Sequence, residues 1–341
     1  RPQPQPAPSQ IELLDEAPAS IRRPLALIHG HAYAAIWPHV RVTRTEALDK
    51  QGNVVRLAIP EVTTEQRLFI VRDDGVIFGD GGQHPFTDLG IDVHLPEIPQ
   101  QAKLWTAPSV KGYVAGTRPV PAKVFRQVCT IIDTFIDFNR SLATQETMCE
   151  LVACYILATW FLDAFTVIGY LWPNGEKGSG KTQLLTVVAE LSYLGHVIGG
   201  SGSFAALRDL ADYGGTLAFD DAENVMDLKR SDPDKRALLL AGNRRGNTIP
   251  LKEVINGREW HTRHVQTFCP RLFSAINLPD PVLASRSITV PLIRTADPKK
   301  ANADPLDMRL WPIPRQDLVN DLWALGLSHG ASLPAYDAHV A

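Results

Sequence analysis

The sequence predicts an α/β protein whose main domain is a mostly parallel sheet flanked by helices. Two observations predict this class. From Phe165 onward, short apolar runs typical of buried strands alternate with a helical pattern of apolar residues. Between the first run and the first helix lies a complete glycine-rich motif, residues 175–182, of the form GxxxxGKT. We therefore expect a strand, a phosphate-binding turn and a helix at the start of this domain.

Composition limits the classes of function. The 341 residues include 34 Lys and Arg against 37 Asp and Glu, so the formal net charge is -3. This balance excludes a protein whose whole surface is basic and coats nucleic acid, so any DNA contact must come from a local basic patch. Four cysteines are too few for a disulfide scaffold and predict a reducing, cytoplasmic setting. The longest apolar run, Leu151 to Leu162, is too short for the roughly 20 residues that cross a bilayer, so we expect no membrane contact.

The pattern along the chain predicts five segments. Alternating Pro and polar residues open the chain, β-rich runs with Gly-containing turns follow, and two helical patterns come next. The predicted segments are a Pro-rich tail or linker over 1–23, a β-rich N-terminal domain over 24–120, a helical linker region over 121–164, the α/β core over 165–300, and a partial helical lid over 301–341 that we expect to be truncated. The β-rich segment carries no recognisable chemical motif.

The glycine-rich motif predicts a nucleotide phosphate site. Its glycines let backbone N–H groups wrap a phosphate chain at a helix N-terminus, where the helix dipole also favours anions. We expect Lys181 to contact the β- and γ-phosphates and Thr182 to ligate Mg²⁺. The predicted nucleotide-binding residues are Gly175, Gly178, Ser179, Gly180, Lys181 and Thr182.

A second acidic motif supports the same interpretation. The apolar run Leu217 to Phe219 ends in Asp220 and Asp221, and a carboxylate at a strand end beside a phosphate loop is the usual Mg²⁺ holder. We assign Asp220 to the metal and Asp221 to polarising the attacking water. The alternative is a pair of solvated loop residues. Together the two motifs predict an enzyme that hydrolyses ATP with Mg²⁺.

Three further stretches specify the kind of ATPase. They are Ala-Gly-Asn-Arg-Arg-Gly at 241–246, Pro-Arg-Leu-Phe-Ser-Ala-Ile-Asn at 270–277, and Leu-Pro-Asp-Pro-Val-Leu-Ala-Ser-Arg-Ser-Ile at 278–288. With the two motifs above, the sequence from about Phe165 to Leu327 resembles AAA+ P-loop ATPases of plasmids, phages and other mobile genetic elements, which are related to MCM-like and superfamily-3-like ring helicases.

The resemblance implies roles for two more residues. Asn277 is expected at the tip of a sensor-1 strand inserted between the two motif strands, where its amide would orient the attacking water. Arg286 is expected to act as an arginine finger on the nucleotide of a neighbouring copy, which implies a homo-oligomer, in this family a hexameric ring. The alternatives are a loop asparagine and a surface arginine.

The sequence departs from the family pattern in two places. Asp221 stands where the family usually has Glu, so either hydrolysis is slow or Glu223 contributes. The sensor-2 arginine of the family has no clear counterpart, and three residues are equal candidates for it: Arg294, Arg309 and Arg315.

Residues 248–265 predict a protruding hairpin. Two extended runs flank Asn256-Gly257, a strong hairpin-turn signal, and polar residues on both faces argue against a place in the core. The candidate DNA contacts are Lys252, Arg258 and Arg263 on the hairpin and Arg244 and Arg245 near its base. We expect Trp260 to pack beneath the hairpin rather than to stack on a base. The resemblance implies that such a hairpin grips DNA in the ring channel.

These expectations combine into a function and two alternatives. The first hypothesis is an ATP-driven DNA helicase or translocase of a mobile genetic element that acts on single-stranded or forked DNA, with a primase or other replication protein as a candidate partner. The second is an ATP-dependent switch or loader that assembles on DNA or a partner protein without unwinding. The third is a monomeric P-loop kinase of small molecules, which is disfavoured because it assigns no function to Arg286 or to the hairpin.

Overall fold

The computed structural model describes residue 15 and residues 17–49, 51–95, 103–199, 204–222, 238, 241–255, 259–279 and 281–335. Several sequence features lie outside these residues: the Pro-rich start, the turn Asn256-Gly257, Arg258 and Glu223.

The described N-terminal part of the chain is built from eight strands, which pair antiparallel except that the first and the last are parallel to each other. Its strands are β1 (Ser20–Ile21), β2 (Leu25–Ile28), β3 (His31–Ile36), β4 (His39–Leu48), β5 (Val54–Gln66), β6 (Phe69–Arg72), β7 (Ile77–Phe78) and β8 (Asp92–Val93). Four of them form a sheet of order β2-β3-β6-β7. Alternate residues of β3 face opposite sides, so Ala32 and Ala34 join the main core while Tyr33 and Ala35 belong to a smaller cluster.

Strands β4 and β5 form a separate two-stranded ribbon. Its register shifts between Arg44 and Glu46, where the longer strand bulges. Large apolar side chains on the ribbon are exposed, including Leu48 and Ile59 at 71% and 82%.

Three helices follow: α1 (Ala107–Val114), α2 (Pro121–Phe135) and α3 (Gln145–Thr159). A proline occupies the first turn of α2, where no backbone donor is lost, and the Thr144 hydroxyl caps α3 by accepting from the N–H of Thr147. The helical spacing seen in the sequence places Val128, Ile132 and Phe135 on the buried face of α2. Helices α2 and α3 pack on each other and contribute to the main apolar cluster of the molecule.

The core sheet has five strands: β9 (Tyr170–Asn174), β10 (His196–Ile198), β11 (Leu217–Phe219), β14 (Arg271–Phe273) and β15 (Ser287–Pro291). All neighbouring pairs are parallel, in the order β10-β11-β14-β9-β15. This confirms the predicted α/β class with a mostly parallel sheet. Strand β14 lies between β9 and β11, as predicted. The first strand begins at Tyr170, five residues later than the apolar run from Phe165 suggested.

Two strands and five helices complete the described core. Strands β12 (Thr248–Ile255) and β13 (Glu259–Gln266) form the hairpin. The helices are α4 (Lys181–Leu191), α5 (Phe204–Asp212), α6 (Pro281–Ala284), α7 (Pro298–Ala301) and α8 (Arg315–His329). The segment predicted as a partial lid contains α8, which is packed into the main core with Leu322 and Trp323 fully buried. The Trp323 indole donates to the carbonyl of Lys103, so α8 is tied to the segment before α1.

In the part of the chain that the structure describes, no helix has the length and apolar character needed to span a bilayer.

A buried ionic cluster joins the N-terminal part to the core. The Lys103 ammonium donates to the carbonyls of Ala189 (2.9 Å) and Gly195 (2.6 Å) at the end of α4 and pairs with Glu190 at 3.2 Å. Glu190 also pairs with Arg315 of α8. His196 lies beside this cluster, where burial and the Lys103 charge lower its pKa to about 4 against the opposing effect of Glu190. The fold therefore holds His196 neutral.

This neutral histidine predicts acid lability. The unfolded chain protonates His196 near its ordinary pKa of about 6.5, whereas the folded chain does so only near 4. Stability from this site is complete above pH 6.5 and is lost as the pH falls toward 4. Over that interval the wild type should lose about 3 kcal/mol of stability that His196→Gln does not lose, measured by urea unfolding. Parallel pH curves for the two proteins would contradict this assignment.

Candidate functional site

The glycine-rich turn joins the carboxyl end of β9 to α4. Three of its glycines have positive φ angles: 157° at Gly175, 80° at Gly178 and 91° at Gly180. A Cβ on Gly175 would lie 2.2 Å from the carbonyl oxygen of Leu292, whereas one on Gly178 would meet no heavy atom within 4 Å. The turn thus needs glycine for its conformation at all three positions and also for space at Gly175.

The turn presents several hydrogen-bond donors, some of which have no partner among the described residues. Helix α4 begins at Lys181, so its first backbone N–H groups lack helical partners and point toward the turn. The Ser179 hydroxyl is buried and has no hydrogen-bond partner among the described residues. The Lys181 ammonium folds back over the turn and donates to the carbonyls of Gly175 (2.6 Å) and Glu176 (2.9 Å). These features fit a bound polyphosphate, which would give the orphan donors partners.

The two motif residues assigned to the metal meet directly. The Thr182 hydroxyl donates to the Asp220 carboxylate at 3.0 Å. No group of three or more His, Cys, Asp and Glu side chains suited to a metal ion occurs among the described residues. A Thr–Asp pair instead fits Mg²⁺, which takes one or two protein ligands and completes its shell with water and phosphate oxygens.

Ser274 is a residue of this site that the sequence reasoning missed. It follows β14 and is fully buried, and its hydroxyl donates to Asp220 Oδ1 at 2.5 Å. The same hydroxyl accepts from the N–H of Asp221 at 3.2 Å. The sequence showed only a hydroxyl residue at the end of an apolar run. Its contact with Asp220 could not be predicted without knowing that β14 lies next to β11. Ser274 fixes the orientation of the carboxylate.

Asp221 and Asn277 lie at the same edge of the sheet. Asp221 has a φ of 52°, a left-handed conformation that is uncommon for residues other than glycine, asparagine and aspartate. Asn277 lies beyond the end of β14; its carbonyl accepts from the Trp172 indole at 3.0 Å and its side chain is exposed. The parallel sheet thus brings the glycine-rich turn, both aspartates and Asn277 to one carboxyl edge.

A cavity of about 290 Å³ adjoins the turn. Its lining includes Gly178, Ser179 and Gly180 on one side and Phe135, Ile136, Arg294 and Asn302 on the other. Among the three sensor-2 candidates, Arg294 is the one that lines this cavity. Arg309 pairs with Asp307 on the surface, and Arg315 pairs with Glu190 in the buried cluster.

Arg286 lies at the opposite edge of the sheet. Strand β15 runs parallel to β9, with Ser287 opposite Tyr170 and Pro291 opposite Asn174. Arg286 immediately precedes β15, and its carbonyl accepts from the N–H of Tyr170 at 2.8 Å. Five residue steps of about 3.3 Å separate it along the sheet from the turn, roughly 16 Å in all. Its side chain is partly exposed.

The hairpin has two different faces. Directly opposed residues share a face, so Lys252 with Thr262, Val254 with Trp260, and Pro250 with His264 lie on one side. The other side contains Val265, which is fully buried, and Ile249, which packs on the core. The first side therefore faces solvent. The expectation for Trp260 was wrong: it lies on this outer face and is 69% exposed.

The basic residues near the hairpin have different surroundings. Arg263 pairs with Asp212 at the end of α5, and Arg245 donates to the carbonyls of Phe165 (3.0 Å) and Leu162 (2.8 Å). These two arginines fasten the root of the hairpin to the core. Lys252 and Arg244 are exposed. Arg258 lies outside the described residues.

Comparisons with known proteins give distant structural neighbours. Neither the protein-family models nor the curated proteins contain a match. The chain is similar to a JCV helicase (14% identity, TM-score 0.34, 65% of this chain and 61% of that chain). It is also similar to the NrS-1 C-terminal region (10%, 0.30, 76% and 63%) and to a full-length MCM homolog from Methanopyrus kandleri (14%, 0.30, 86% and 59%). The chain covers about three fifths of the length of each.

The glycine geometry gives a direct prediction. Gly178→Ala should cost about 1–2 kcal/mol, because alanine is strained at this φ but meets open space. Gly175→Ala should cost more, because its Cβ would overlap the Leu292 carbonyl as well. Urea unfolding of the two variants compares the same chemical change at two places in one turn, and equal losses would contradict the described packing.

Proposed function

We propose that this chain is an ATP-hydrolysing DNA helicase or translocase that works as a ring, with nucleotide sites completed at subunit boundaries. The observation that carries the proposal is the position of two groups on one sheet. The phosphate turn with Asp220 lies at the carboxyl edge, and Arg286 lies at the amino edge.

The phosphate turn supports the nucleotide part of the proposal. The N–H groups at the start of α4 and the Ser179 hydroxyl would bind the phosphates, with Lys181 leaving its two carbonyl partners to reach the β- and γ-oxygens. The cavity beside Gly178 and Arg294 would take the nucleoside. Because Arg294 is charged and lies on the same chain as the turn, it would add a contact in cis.

Thr182 and Asp220 would hold Mg²⁺, which supplies charge neutralisation for the transferring phosphoryl group. Ser274 keeps the Asp220 carboxylate turned toward Thr182. Asp221 would accept the proton of the attacking water, and the Asn277 amide would orient that water. The left-handed backbone of Asp221, fixed by its N–H bond to Ser274, holds the base in place.

The placement of Arg286 supports the ring. A side chain about 16 Å from its own turn along the sheet cannot neutralise charge on the nucleotide bound there. The same arginine on a second copy can, if the amino edge of one sheet faces the carboxyl edge of the next. Repeating such a head-to-tail contact closes a ring, and the family resemblance suggests six copies.

The outer face of the hairpin supports nucleic acid as the partner. Lys252 supplies a phosphate contact and the exposed Trp260 ring supplies a stacking surface for a base. Hydrolysis at successive boundaries would move successive hairpins along a strand. The resemblance adds replication of a mobile genetic element as the setting, with forked DNA as substrate and a primase as a further partner.

A second function has one specific observation in its favour. Asp221 is one methylene shorter than the glutamate usual in the resembled family, so hydrolysis would be slow and would suit a switch or loader. Such a protein would assemble on DNA or on a partner with ATP, without separating strands.

The Asp221→Asn variant tests the chemical step. Asparagine tolerates the left-handed backbone, so the variant should fold and bind a fluorescent ATP analogue within about twofold of the wild type. Loss of the carboxylate should lower Mg²⁺-dependent phosphate release by about 100-fold or more. Undiminished hydrolysis would remove Asp221 from the mechanism.

A forked DNA duplex with one labelled strand tests the function itself. The helicase proposal expects strand separation with Mg²⁺ and ATP by the wild type and none by Asp221→Asn. ATP-dependent assembly without strand separation would favour the switch or loader over the helicase. Phosphoryl transfer to a free nucleoside, independent of DNA, would contradict both and indicate a small-molecule kinase.

A further inference from the structure

A second basic surface lies away from the phosphate turn, between the N-terminal strands and the root of the hairpin. It is an open groove of about 890 Å³, which we call the arginine groove. The charged and imidazole side chains that line it are Arg22, Arg23, His94, Asp163, Asp212, Arg245, Arg263 and His264. Arg22 and Arg23 lie between β1 and β2, His94 follows β8, and the core supplies the others.

The acidic residues of the arginine groove are already neutralised. Asp163 lies 3.4 Å from Arg23 and 3.5 Å from Arg245, and it accepts from the N–H of Leu27 at 3.3 Å. Asp212 pairs with Arg263 and accepts from the N–H of Gln266 at 3.1 Å. Four arginines against two aspartates leave the wall with two excess positive charges, in a chain whose formal net charge is -3.

Arg22 carries the accessible charge. It is exposed, and its guanidinium Nε donates to the Ser20 hydroxyl at 2.8 Å. Within the part of the chain that the structure describes, its terminal nitrogens have no hydrogen-bond or ion-pair partner, so they can contact a ligand. Arg23 differs, because it is largely buried and bonds the carbonyls of Asp212 (3.3 Å) and Phe268 (3.0 Å). Arg23 shapes the groove, and Arg22 can bind what enters it.

The groove continues the outer face of the hairpin. His264 lies on that face, in line with Trp260 and Lys252, and it also lines the groove. A strand lying on the outer face therefore meets His264 and then the basic wall. Three apolar residues also line the groove and offer surface for sugars and bases: Leu27, Ile28 and Leu95.

We propose that the arginine groove binds the sugar–phosphate backbone of single-stranded nucleic acid. The nucleic acid would pass from the outer face of the hairpin into this groove, beside the N-terminal part of the chain. Arg22 is the phosphate contact of the groove. This inference rests on the proposed nucleic-acid function and adds a path outside the hairpin. The N-terminal part of the chain would thereby contact the nucleic acid directly.

The test measures binding of a fluorescein-labelled oligothymidine by anisotropy over a range of salt concentrations. Arg22→Ala should weaken binding about threefold to fivefold near 0.1 M salt and lower the salt slope by about 0.7, the value for one phosphate contact on a single strand. Arg309→Ala is the matched control: Arg309 is 89% exposed, also bonds the side chain two residues before it, and does not line the groove. It should bind as the wild type does.

A second measurement uses the unaltered protein. Phenylglyoxal modification read by mass spectrometry should show Arg22 protected by oligothymidine and Arg309 not protected. If Arg22→Ala binds as tightly as the wild type while Lys252→Ala binds more weakly, the groove is not a binding site but the hairpin still is. Absence of protection at Arg22 would lead to the same conclusion. Equal weakening in Arg22→Ala and Arg309→Ala would also overturn the groove proposal, as a general charge effect. Absence of oligothymidine binding by the wild type would instead remove the proposed function.

Discussion

The parallel register of β15 on β9 is the constraint on which the functional interpretation depends. Ser287 opposite Tyr170 fixes Arg286 at the amino edge of the sheet, while the glycine-rich turn follows β9 at the carboxyl edge. Because strands are stiff and their side chains short compared with this separation, no side-chain rotation brings the two together. A nucleotide site that uses this arginine must therefore be shared by two copies of the chain.

Local features of the sequence predicted the glycine-rich turn better than they predicted the residues around it. The turn and the position of Asp220 at the end of β11 could be predicted because residue type and spacing there follow from backbone conformation. Ser274 was not, because its contact with Asp220 exists only once β14 lies beside β11. Trp260 was misplaced for a similar reason: its face depends on the register of the hairpin and on Val265 being buried at the root.

The N-terminal strands are physically continuous with the core. One face of β3 joins the same apolar cluster as α4 and α8, and Arg23 bridges Asp163 to the backbone at the end of α5. The sequence showed a β-rich segment without a motif, and no local pattern could reveal these long-range contacts. These contacts connect the N-terminal strands to the root of the hairpin, because Asp163 also pairs with Arg245 and Asp212 also pairs with Arg263.

The sharing of a nucleotide site between copies is tested most directly by mixing two inactive proteins. Lys181→Ala lacks a working phosphate turn but keeps Arg286, and Arg286→Ala keeps the turn but lacks the arginine. If the site is shared, each variant alone should hydrolyse ATP at a small fraction of the wild-type rate. Their mixture should regain a substantial part of that rate, since some boundaries join an intact turn to an intact arginine. Activity in the mixture no higher than the average of the two variants would show that Arg286 does not act on a neighbouring site.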